Sequence, residues 1–162
     1  MATPAKTPAP PLRIFALCIG GPIDFTISGS INAAVAWWVF LAANRVELLG
    51  WHSILMVTGP MFFILPLATT LAGYLSGVTQ RRQGKFSPEW VEGTRWVKQA
   101  WRIALTRAVV ICPLGCGAIV LAHILLGDVT IEKLNFVIGN GLLAGTLGYA
   151  LHSTAILQAE KL

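Results

Sequence analysis

Four stretches of this chain, residues 14–43, 53–79, 103–126 and 135–157, are apolar over a length that can cross a bilayer. A helix needs about 20 such residues to traverse a hydrocarbon core of ~30 Å. The first stretch is the most demanding, because Asp24 is the only charged side chain between Ile14 and Asn44. Backbone amides in lipid must be satisfied within the structure, which leaves helices or a closed barrel. The short alternating segments of a barrel are absent, so helices remain.

Composition excludes the soluble alternative. The residues Ala, Val, Ile, Leu, Met, Phe, Trp, Tyr and Cys make up 55% of the 162 positions, and only 12% are charged. Soluble domains carry about 25% charged residues, and one of this size has too little interior to hide the excess apolar surface. The fold class expected is an all-α integral membrane protein, a single domain over residues 13–162. Residues 1–12 read as a disordered Pro/Ala-rich leader. A cleaved secretory signal is disfavoured, because Gly20-Gly21-Pro22-Ile23-Asp24 interrupts the apolar run after Ile19, short of a normal signal core.

The charge of +5 is distributed by topology and gives no nucleic-acid signature. Nine of the 12 Lys and Arg residues fall before the first span, between the second and third, or at the C-terminus. The other two connections hold only Arg45 and Lys133. Positive residues concentrate on the cytoplasmic side. Both termini and the middle connection are therefore expected there, in a bacterial inner membrane.

That middle connection has a pattern of its own. Ser87, Pro88 and Glu89 form a helix start. Beyond them Trp90, Thr94, Val97 and Trp101 share one face, opposite Glu92, Arg95, Gln99 and Arg102. This predicts an amphipathic cytoplasmic interfacial helix between spans two and three, with Trp90, Trp101, Arg95 and Arg102 at the lipid surface. In span two, Pro60 and Pro66 call for hydroxyls to cover the carbonyls they free, and Thr58, Thr69 and Thr70 are near.

Span four carries a narrow stripe of small residues that includes Gly141, Gly145 and Gly148. Such stripes let membrane helices approach closely. The first span offers Gly21, Ser28 and Gly29 as a matching surface, so these two helices are expected to touch.

Asp24, Arg107 and His152 lie at similar depth near the cytoplasmic side. Membrane carboxylates turn inward and find partners, and Asp24 with Arg107 is the pair expected, with His152 close by. Ser28 and Asn32 extend the polar strip, and Asn140 of span four has the same character. A competing reading starts a helix at Pro22 and makes Asp24 a first-turn acid favoured by the dipole. Whether Asp24 caps, pairs statically or handles protons or ligands stays open.

The remaining candidates are weaker. Cys112 and Cys116 lie one turn apart in apolar surroundings, where thiols are inert, and no acid or His joins them at ligand spacing. His52 and His123 fall near the outer ends of their spans, too few for a metal site. No phosphate loop, dinucleotide fingerprint, zinc-protease or nucleophile-elbow motif is present in the sequence. No catalytic residue, metal or cofactor is assigned. Two functions are compatible: a non-catalytic accessory or assembly subunit, or the protomer of a small oligomeric transporter or channel using Asp24 and His152. The partners expected are the bilayer and other membrane subunits or further copies of the chain.

Overall fold

A computed structural model describes residues 12–50, 53–83 and 95–159, and the side chain of Arg95 is not among the described groups. Four helices dominate: α1 (Leu12–Val39), α2 (Ile54–Arg82), α3 (Arg95–Leu126) and α4 (Lys133–Ala159). Each is long and apolar enough to cross a membrane. Residues 95–102, the described part of the expected interfacial segment, are the leading turns of one 32-residue helix. Ser87, Pro88, Glu89 and Trp90 lie outside the described residues. Trp101 and Arg102 are exposed on those first turns.

The helices are not equivalent. α4 is central, packing along α1 on one side and α2 on the other, while α3 packs on α2. Ala100, Ala104 and Ala108 are all buried at four-residue spacing, a small-residue ridge that lets α3 sit close to its neighbour. The backbones of α3 and α4 do not run against each other. None of the most apolar 18 residues of α3 is buried, whereas α2 buries 44% of its own.

The starts of α1 and α3 and the ends of α2 and α4 share one end of the bundle. Arg81, near the end of α2, donates from Nη1 to the carbonyl of Ala159 at 2.7 Å. Carbonyls in a last helical turn lack intrahelical donors, and a cation there also complements the helix dipole.

The opposite end has a feature that hydropathy does not announce. The α1–α2 and α3–α4 connections pair as antiparallel strands β1 (Arg45–Glu47) and β2 (Thr130–Glu132), with Arg45 opposite Glu132 and Val46 opposite Ile131. Val46 is buried in a cluster with Ala36, Phe40, Ile54 and Phe136, where the two Phe rings meet edge to face at 5.5 Å. Gly127 ends α3 with φ +74°, and its amide bonds the carbonyl of His123 at 2.8 Å, the left-handed stop that glycine permits. Ser53 starts α2 by accepting from the amide of Met56.

The threonines of α2 take a different role from the one expected. Thr58 and Thr69 donate to the carbonyls of Ile54 and Leu65, one turn back. Pro60 and Pro66 free the carbonyls of Met56 and Phe62, which those hydroxyls do not reach because they bond their own preceding turn. Thr70 instead serves α3.

Candidate functional site

The polar residues of the helices fall into two clusters on different faces of α4. The first is built on a local defect in α1. Residues Ala16–Gly20 form a π-helical turn, directly before Pro22. A proline ring clashes with the carbonyl four residues earlier and cannot donate to it. Widening the turn relieves the clash; Gly21 N–H bonds Ala16 O in the π pattern, while Leu17 O, five residues before Pro22, has no such donor. α4 adds donors to both carbonyls: Tyr149 donates to Leu17 O at 3.1 Å, and Ser153 donates to Ala16 O at 2.9 Å. Gly20 and Gly21 keep helical angles throughout. The helix therefore does not restart at Pro22, and Asp24 is not a cap.

One turn on, Asp24 reaches α4 as well. Its Oδ1 lies 3.6 Å from Nδ1 of His152, and Ser28 donates to its Oδ2 at 3.3 Å. Both side chains are nearly enclosed, at 13% and 9% exposure. The glycine stripe makes this approach possible. A Cβ on Gly148 would fall 2.5 Å from Asp24 Oδ2, and one on Gly145 would fall 2.9 Å from the carbonyl oxygen of Phe25. Gly141 faces the carbonyl of Gly29 and Ala33 in the same way. Asn32 stands apart: it donates to Ser28 O, and its own carbonyl accepts from Asn140 Nδ2 at 3.1 Å.

Arg107 belongs to the second cluster, and the expected Asp24–Arg107 pair is corrected. The guanidinium donates to Thr70 Oγ1 of α2 at 3.1 Å, and on α4 to Leu151 O at 3.0 Å, Thr154 Oγ1 at 3.0 Å and Gln158 Oε1 at 3.1 Å. Gln158 also accepts from the fully buried Tyr74. The reason is positional. α4 stands between α1 and the α2–α3 pair, so Asp24 and Arg107 approach it from different directions. His152 sits on the face that α1 covers, and Leu151, Thr154 and Gln158 sit on the face toward α3.

Two glycines absent from the expected stripe also make tight contacts, and Gly73 has the closest backbone approach among the described glycines. Gly73 and Gly77 of α2 face α4, and a Cβ on Gly73 would meet the His152 carbonyl oxygen at 2.6 Å. Their four-residue spacing in Gly73-Tyr74-Leu75-Ser76-Gly77 was the available signal. Cys112 and Cys116 lie on the face of α3 toward Gly59 of α2. His123 is 3.8 Å from Asp128 at the strand end, and His52 lies outside the described residues.

Chemically, the first cluster pairs an acid with an imidazole between two helices, and the second spreads one cation over neutral acceptors on two helices. Both arrangements join helices. Searches against protein-family models, curated proteins and solved structures return no match, so the functional reading rests on this chain's own residues.

Proposed function

We propose that this chain is a polytopic membrane protein acting as a non-catalytic accessory or assembly subunit of a membrane complex. The observation that carries the proposal is α3. Beyond Arg107 it is apolar, its backbone packs on α2 and not along α4, and Val109, Leu121, Ile124 and Leu125 are exposed. The two polar clusters support the same reading, because Asp24 faces His152 across α1 and α4 while Arg107 ties α3 to α2 and α4, on separate faces of α4. Its expected neighbours are the bilayer and the helices of other membrane subunits.

A photo-crosslinking residue at Val109 or Leu121, activated in native membranes, should give a discrete adduct with one other membrane protein. The same residue at Ile23 of α1 should give none. Adducts with a second copy alone would transfer support to the oligomeric transporter or channel reading. That alternative draws on His152, whose buried Nδ1 has no hydrogen-bond partner among the described residues while facing Asp24.

The proposed orientation places both termini and residues 83–95 in the cytoplasm of a bacterial cell, with Trp90, Trp101, Arg95 and Arg102 at the inner-membrane surface. The basic residues cluster at the end shared by the termini. At the strand end Arg45 faces Glu132, and Lys133 lies over the Trp37 ring at 4.4 Å. Reporter fusions after Gln83 should read cytoplasmic and one after Arg45 should read external. The reverse pattern would overturn the orientation.

A further inference from the structure

The separation of α3 from α4 leaves a crevice of about 680 Å³ between them. Ligand pockets commonly span roughly 300–1,000 Å³. At one end Arg107 of α3 bridges to α4 through three hydrogen bonds. At the other, Leu48 and Ile131 of the paired connections line it. Phe62 and Thr58 of α2 form its floor, and Thr58 has already committed its proton to Ile54 O. The walls recede at small residues, Ala118 and Ala122 on α3 and Gly139 on α4, while Gly115 of α3 sits against the Phe62 ring. The lining is almost wholly apolar. Asn135 stands exposed at the strand end.

We infer that this crevice binds one acyl chain of a phospholipid, inserted from the strand end. The inference rests on the membrane placement proposed above. Apart from Asn135 and the amide of the buried Asn140, the walls offer water no side-chain partner, and apolar cavities stay dry and take apolar guests. The α3 wall runs from Ile111 to Ala122, about 16 Å at 1.5 Å per residue. That is roughly half of a ~30 Å hydrocarbon core, the depth filled by the chains of one leaflet. Asn135 at the mouth offers an amide to the ester and headgroup region.

The test uses the full chain in bilayers containing phosphatidylcholine with a diazirine at the middle of one acyl chain. Labelling should concentrate on Ala118 and Leu143, well above Ile31 and Val35, which are exposed on the strand-end half of α1. Gly139 lines the crevice and a Cβ there meets nothing within 4 Å, so Gly139→Leu obstructs the crevice while the fold persists. Its labelling at Ala118 and Leu143 should drop to the Ile31 level with the thermal midpoint unchanged. Organic extracts of the detergent-purified native protein should contain phospholipid that the Gly139→Leu protein lacks. Uniform labelling, labelling unaffected by Gly139→Leu, or retention of an isoprenoid or free fatty acid in place of phospholipid would each overturn the inference. A chain labelled nowhere would instead refute the membrane placement.

Discussion

Gly73→Ala is expected to destabilise the bundle by about 1–3 kcal/mol, the usual cost of overpacking a tight interior, and Gly73→Leu to yield no monodisperse protein. The added methyl would lie 2.6 Å from the His152 carbonyl oxygen and 2.7 Å from Ala155 Cβ. Neither can move without shifting α2 away from α4. The control is Gly117→Ala on α3, where an added Cβ meets nothing within 4 Å. Both changes replace a mid-helix glycine, so both gain up to about 1 kcal/mol of helix propensity. Packing alone separates them. Denaturant or thermal titration in mild detergent reads the difference. Equal stability of Gly73→Ala and Gly117→Ala would refute the close contact between α2 and α4.

Loss of the Arg107 bridge should be nearly as severe. Arg107→Leu removes four hydrogen bonds that tie α3 to its neighbours. Bonds to charged groups contribute about 1.5–3 kcal/mol each. Part of that is recovered because the cation itself no longer needs to be desolvated, so a net loss of about 3 kcal/mol is expected. Arg107→Lys should rescue little, since a compact ammonium lacks the planar fork that reaches both helices. The placement of Asp24 makes a further demand on the same measurement. Asp24→Asn and Arg107→Leu should be additive, because the two residues share no partner. Asp24→Asn and His152→Gln should instead show a coupling of roughly 1 kcal/mol, as contacting groups do. A strong coupling between Asp24 and Arg107, with none to His152, would restore the ion pair that depth alone suggests.

That contrast shows where sequence reasoning stopped. Residue counts along each helix place Asp24, Arg107 and His152 at one depth, but depth is a single coordinate. Which of them meet depends on the direction each helix faces, and that is set by the order of packing around α4. The π-helical turn at Ala16–Gly20 adds a local rotation that a 3.6-residue period does not anticipate. The β1–β2 pair is similarly hidden, since three residues per strand give too short a pattern. Gly73 and Gly77 were legible from their spacing, yet the spacing alone names no partner.

What the chain determines by itself is its class: four long helices follow from apolar runs that neither water nor an open backbone in lipid would tolerate. The basic residues likewise gather at one end in any antiparallel arrangement of those helices, because their positions along the chain are enough. Only the tertiary structure decided that α4 is central, that His152 receives Asp24, and that α3 stands off to leave a crevice. Those outcomes depend on close contact between surfaces far apart in sequence, where a missing Cβ or one guanidinium decides which helices meet.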